Sequence, residues 1–285
     1  MTGCIVCGLD ETSDSRHAAS IASRLARDLD SQAVLVHVME GGAFLQRVPP
    51  ARVGRTRRMR RSLKAVADEH CFPDGTHIRV KAGHAASTLI AVAEREDAEL
   101  VVVAAGGRSA VSTGLLGSVS STLMREAPCP VVVVPNETIA PLDAEGMRSV
   151  VCGVADDDTD PATLRLADDL ANRLGGQLHA VHAHGEAELR QSAEARLARA
   201  LEETGVEAHG VVVPAPPADA LQRVGEQHKA SLIVVGFGGR SRVASNVLGS
   251  VPTKLATEGR TAVVVLPLGT RLEPGSGHYE LLETV

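Results

Sequence analysis

Short runs of consecutive apolar residues, many of them β-branched, alternate along the chain with longer stretches whose apolar residues recur every three or four positions. The runs lie near 4–9, 33–39, 76–81, 99–104 and 130–134, and again near 149–154, 177–182, 207–213, 231–236 and 261–266. Such short, continuously apolar runs predict strands buried on both faces, and the periodic stretches predict amphipathic helices. Helices are expected near 14–29, 56–70, 84–96 and 118–126, then near 161–174, 187–204, 217–228 and 250–258. Regular alternation of strand and helix implies parallel sheets covered on both sides. The predicted fold is α/β, two tandem doubly wound domains with a five-stranded parallel sheet each.

The two halves are copies of one unit. CIVCGLD at 4–10 matches SVVCGVA at 149–155, an offset of 145 residues that also aligns His37 with His182. AAGGRSAVSTGLLGSV at 104–119 matches GFGGRSRVASNVLGSV at 236–251 at an offset of 132, because the second copy is shorter after its second strand. The expected domains are residues 1–138 and 148–268. NETIAPLDAEGM at 136–147 connects them, and 269–285, with its PGSGH, is expected to be a flexible tail.

Composition narrows the function classes. The formal net charge is −6 and aromatics are 1% of the chain, with no Trp and one Tyr. Both argue against nucleic acid as a partner, since stacking platforms for bases are nearly missing. No apolar run approaches the roughly 20 residues that span a bilayer. The N-terminus reads as a strand rather than a secretory leader, so a cytoplasmic location is expected. Five cysteines are too few and too scattered for a disulfide framework. Cys4 and Cys7 form a CxxC, but residues three apart on a strand face opposite ways, so they read as buried structural thiols. The cluster Arg55 to Arg61 has the charge of a nucleic-acid or anion patch, but with no interleaved aromatics and no net basic charge it reads rather as a solvated helix face beside a long loop.

Candidate chemistry sits in the repeated glycine segment. Glycines directly behind a buried parallel strand let the backbone approach a ligand closely, and successive N–H groups there can form an anion nest. Each segment ends in Gly-Ser before a helical pattern, with the serine read as an N-cap at a helix end that attracts phosphate. Pro252 suits the first helical turn. There is no GxxxxGK[ST], and no GxGxxG after either first strand, so Walker-type and dinucleotide sites are not indicated.

Gly236-x2-Gly239-x9-Gly249-Ser250 resembles the ATP-binding motif of the universal stress protein family, as do GLD after the first strand, the HV of the second, LGSVS and CPVVVVP. The resemblance implies a sheet of order 3-2-1-4-5, with the ligand at the carboxyl ends of strands 1 and 4 where the winding reverses. It implies that Asp10 binds the ribose hydroxyls, that the Val38 backbone meets adenine, and that Gly107, Gly117 and Ser118 hold phosphates. Gly8, Val103, Ala104 and Val119 complete that set in the first copy. In the second it comprises Val154, Ala183, Val235, Gly236, Gly239, Gly249, Ser250 and Val251. The cofactor implied is ATP, or ADP or AMP after slow hydrolysis, with Mg2+ carried by the nucleotide. Pairing of the two domains through their last strands as an internal pseudo-dimer, and homodimerisation, are implied too.

The first copy departs from the pattern at Ala104, and the second at Ala155 and at Ala183, which stands at the Val38 position and is a small change for a backbone contact. Ala104 replaces the first motif glycine, and its methyl is expected to crowd the ribose or strain the backbone. Ala155 replaces Asp10, removing a charge-assisted hydrogen bond of about 1.5–3 kcal/mol; Asp156 is the next carboxylate. The second copy, with its intact loop, is the one expected to be occupied. No nucleophile–base pair is visible, and His37 and His182 read as packed strand-end residues. The expectation is a non-enzymatic nucleotide-binding protein of stress response or regulation. A nucleotide-independent dimerising scaffold and a slow ATP hydrolase are the alternatives.

Overall fold

A computed structural model describes residues 3–40, 49–106, 116–138, 149–155, 161–185, 189–237, 249–267, 270–272 and 279–281. The first half contains β1 (Cys4–Gly8), α1 (Ser13–Asp28), β2 (Gln32–Met39), α2 (Pro49–Glu69), β3 (His77–Ala82), α3 (Ala85–Arg95), β4 (Leu100–Ala104), α4 (Ser118–Glu126) and β5 (Val131–Val134). The second contains β6 (Ser149–Val154), α5 (Pro161–Arg173), β7 (Gln177–His184), α6 (Arg190–Thr204), β8 (His209–Pro214), α7 (Pro217–Gln227), β9 (Leu232–Gly236), α8 (Ser250–Glu258) and β10 (Ala262–Leu266). The strand order β3-β2-β1-β4-β5-β10-β9-β6-β7-β8 repeats the expected 3-2-1-4-5 order once in each half. All neighbours within a half are parallel.

The halves meet where β5 pairs antiparallel with β10, Val132 opposite Val264, making one ten-stranded sheet. Both strands are wholly buried there. Alternation along the strands divides the core in two. Ile5, Leu100, Val102 and Val264 face α1, α2, α5 and α6; Val6, Val101, Val103 and Val263 face α3, α4, α7 and α8. Cys7 is buried in the first layer, while Cys4, half-buried rather than buried as expected, packs against the second, so the CxxC is split across the sheet as its spacing predicts. Burial pushes the Cys4 thiol up to about 11, with Glu96, Glu99 and Asp97 adding to the rise. Among the described residues no helix is long and apolar enough to cross a membrane.

Two elements differ from expectation. α2 begins at Pro49, seven residues before the predicted start at 56. Two prolines at its head suit a first turn, whose N–H groups lack intrahelical acceptors anyway. Within 269–285, β11 (Thr270–Leu272) and β12 (Tyr279–Leu281) pair antiparallel.

A buried polar contact ties the halves together off the sheet. Glu99, 5% exposed, accepts from Ser31 Oγ and pairs with Arg173 of α5 at 2.8 Å. Arg173 also donates to the Leu29 carbonyl at 3.3 Å. The counterparts at repeat spacing are Ser231 for Glu99 and Asp28 for Arg173, so the tie runs in one direction only.

In the second half, buried His179 of β7 stacks on His228 at 3.9 Å and on His209 at 5.3 Å between ring centroids. Burial lowers its pKa below 6.5, and the like charges of His228 and His209 lower it further. The folded state thus resists a proton that the unfolded chain accepts. The contribution of His179 to stability is therefore complete above pH 6.5 and falls as pH drops through that value toward the lowered folded-state pKa. The melting temperature of His179→Phe is expected to fall less between about pH 7 and pH 5 than that of the parent; an equal fall would rule the cluster out as its source.

Candidate functional site

At the carboxyl ends of β1, β2 and β4 a cleft of about 190 Å3 opens, closed on one side by the N-termini of α3 and α4. Its lining joins Gly8 and Asp10 to Val38, Val103 and Ala104, then to Gly117, Ser118 and Val119. All the residues implied for the first copy are thus gathered, apart from Gly107, which lies outside the described residues. Parallel β1 and β4 lie side by side, which brings chain segments about a hundred residues apart onto one rim.

The loop after β1 is held from within. Asp10 Oδ1 accepts from the Thr12 backbone N–H at 2.9 Å and from the Thr12 hydroxyl. Ser15 donates back to the Asp10 carbonyl at 2.8 Å. No contact falls on Oδ2 among the described residues, and Asp10 is half-buried at the cleft wall. His37 Nδ1 bonds the Leu9 carbonyl at 2.8 Å, and His182 repeats this with Val154 at 3.0 Å. Both histidines are buried, and each fastens the end of a first strand to a second strand.

The glycine segment is anchored at both described ends. Gly117 N–H donates to the Ala105 carbonyl at 2.8 Å, and Ser120 Oγ donates to the Ala104 carbonyl at 2.7 Å. The N-cap residues are Gly117 and Gly249, with no side-chain cap; Ser118 and Ser250 are the first helical residues rather than the caps expected. Having no side chain, Gly117 leaves the first N–H groups of α4 without an internal acceptor, which suits an anion.

Ala104 lines the cleft and also has a place in the core. Ala104 belongs to the core layer containing Ala18 of α1. In the second copy the same pair of positions holds Gly236 and Thr163, and a Cβ on Gly236 would sit 2.8 Å from Thr163 Oγ1. The first copy has moved bulk from the helix to the strand, in the core layer opposite the ligand side formed by Leu89 and Val103. On that ligand side Gly8 gives room, since a Cβ there would meet Leu89 at 2.9 Å and Val103 at 3.1 Å.

In the second half Val154, Ala183, Val235 and Gly236 stand at the matching strand ends, with Gly249, Ser250 and Val251 at the start of α8. Ala155 follows β6 without a carboxylate; Asp156 and Gly239 lie outside the described residues. Sequence reasoning did not assign two charged residues to the first cleft. Glu40 accepts from Ala85 N–H at 2.9 Å, capping α3, and Arg55 reaches the lining from α2. Only the early start of α2 reveals the latter.

The model of the "Universal stress protein family" matches residues 1–135 and 183–267. Universal stress protein Rv2623 of Mycobacterium tuberculosis is 30% identical over 288 residues, covering 92% of this chain and 95% of that protein. Universal stress protein Rv2005c of the same organism is 35% identical over 185 residues, covering 59% of this chain. The chain spans 62% of the length of that relative, as it does of the Mycobacterium bovis protein Mb2028c. Among solved structures, a universal stress protein from Archaeoglobus fulgidus aligns with a TM-score of 0.70 at 18% identity, over 93% of this chain and 98% of that one. At that identity the likeness speaks for the fold alone.

Proposed function

Because the chain belongs to the universal stress protein family, we propose that it binds an adenine nucleotide, ATP foremost, in the cleft of its first half and serves in stress response by changing assembly or partner choice with the nucleotide held. The observation that carries this reading is the convergence of Asp10 with both described ends of the glycine segment on one cleft. In this reading adenine lies in the apolar slot of Val36, Val38, Leu89 and Val103. The ribose meets Asp10 Oδ2. The phosphates lie over the N–H groups that open α4, with Arg55 as the facing cation. Mg2+ would come with the phosphate oxygens.

The first site is favoured over the second. Ala104 lines the cleft but also belongs to the core layer with Ala18, which supports the first copy as a site. The second copy lacks the carboxylate, and Leu189 stands at the position matching Arg55. Binding rather than turnover is proposed, because the cleft carboxylates Asp10 and Glu40 each hold a loop or helix end by accepting a backbone N–H.

The test is to purify the full chain without added nucleotide, denature it and identify what is released by mass spectrometry. About one adenine nucleotide per chain is expected. Asp10→Ala should weaken ATP by about 10- to 100-fold, and Arg55→Ala should weaken ATP more than adenosine. No released nucleotide and no thermal shift with Mg-ATP would favour a nucleotide-independent scaffold instead.

A further inference from the structure

Arg57, Arg60, Arg61 and Lys64 recur at the three- and four-residue spacings that place side chains on one helix face. That face of α2 meets Ile78 and Arg79 of edge strand β3 across an open groove of about 480 Å3. Five cationic side chains thus surround one concavity on a chain of net charge −6. Among the described residues none of the four α2 cations has a carboxylate partner. Arg79 has Glu96 at 3.5 Å, while its Nε is buried without a hydrogen-bond acceptor.

The second half shows that the fold does not require these charges. Leu63 and Leu197 are each 3% exposed, and Cys71 and Gly205 share the positive φ that ends the two helices. These matches set an offset of 134 in the helix (63 to 197, 71 to 205). Arg60 then corresponds to Glu194 and Arg61 to Ala195, while Arg57 and Lys64 correspond to Gln191 and Ala198. Not one of the four positions keeps its positive charge. His37 pairs with Val80 as His182 pairs with Val212, so Arg79 corresponds to Val211. Of the cations that α6 does carry, Arg190 is neutralised within the helix by Glu194 at 2.8 Å and Arg199 by Glu203 at 2.7 Å. The four α2 cations instead repel one another, with no carboxylate among the described residues at ion-pair distance to offset it.

We propose that the groove between α2 and β3 binds an oligophosphate anion, a short chain of linked phosphates. Guanidinium forks match phosphate oxygens in pairs. Arg57 to Lys64 spans about 10 Å of helix axis, a length suited to several linked charges rather than one. Neither α2 nor β3 offers a Phe, Tyr or Trp side chain, so a nucleobase would find little to stack on. The site is separate from the nucleotide cleft and does not depend on that reading.

The experiment is calorimetric titration of the full chain with inorganic tripolyphosphate at low ionic strength, with saturating AMP present so that the nucleotide cleft is filled. One site per chain is expected, binding at least about 30-fold more tightly than orthophosphate and weakening as salt is raised. Arg60→Glu/Arg61→Ala installs the residues of the second copy at exposed positions. It should abolish tripolyphosphate binding while the melting temperature and ATP affinity stay unchanged. Arg57→Gln/Lys64→Ala, likewise taken from the second copy, is the companion should the first variant misfold, with the same loss expected. Tripolyphosphate binding no better than orthophosphate, or equal in a folded variant, would overturn the proposal. So would tighter binding of a single-stranded oligonucleotide or a polyglutamate peptide of equal charge, which would reassign the groove to that partner.

Discussion

Arg173→Ala is expected to destabilise the chain by about 2–3 kcal/mol, lowering the melting temperature by roughly 5–10 °C. Glu99 is 5% exposed, and Arg173 is its one cationic partner in an ion pair among the described residues. Removing the guanidinium leaves a carboxylate buried with only the Ser31 hydroxyl, and it also takes a donor from the Leu29 carbonyl. Breaking a fully buried pair costs about 3–5 kcal/mol; the lower figure applies because the Arg173 side chain remains 30% exposed. Glu99→Gln/Arg173→Met removes both charges together and is expected to recover most of the loss, since an amide can still accept from Ser31. Thermal unfolding followed by circular dichroism measures both variants. An Arg173→Ala protein melting within about 1–2 °C of the parent would mean that water replaces the guanidinium at no cost.

Gly236→Ala is expected to cost about 1–3 kcal/mol, the usual range for forcing a methyl into a filled core. The new Cβ would stand 2.8 Å from Thr163 Oγ1, and Thr163 is itself buried. Adding Thr163→Ala recreates the Ala18–Ala104 arrangement of the first half and should remove most of that cost. The mirror substitution, Ala18→Thr beside Ala104, should create the same conflict in the first half. Urea denaturation of the three variants gives the comparison. Equal losses for Gly236→Ala with and without Thr163→Ala would show that the backbone at 236, rather than the helix opposite, demands glycine.

This pair also shows where sequence reasoning stopped. Ala104 reads as a damaged glycine motif when the segment is viewed alone, because its neighbour Ala18 is 86 positions away and only the sheet brings them together. The ten strands of the main sheet were legible because each is a short apolar run buried on both faces, and the helices because each carries a stripe. The start of α2 was not, since PPARVGRTRRMRRS has almost no apolar period to mark it. β11 and β12, three residues each, are too short for any period. Asp10, Val38 and the two described ends of the glycine segment, which line the cleft, were singled out by their pattern. Glu40 was missed because a single charge at a strand end carries no pattern, and Arg55 was singled out only as part of the Arg55 to Arg61 cluster; the cleft that both line forms only after folding.

The seam between β5 and β10 also decides what dilution can do. Paired edge strands on separate subunits part once their concentration falls below the dissociation constant, whereas strands on one chain face each other at a fixed effective concentration however scarce the protein is. The two halves also always occur one to one. A carboxylate in the first and an alanine at the same place in the second are therefore held in one sheet in every molecule. Identical subunits, which must share one sequence, could not keep that inequality.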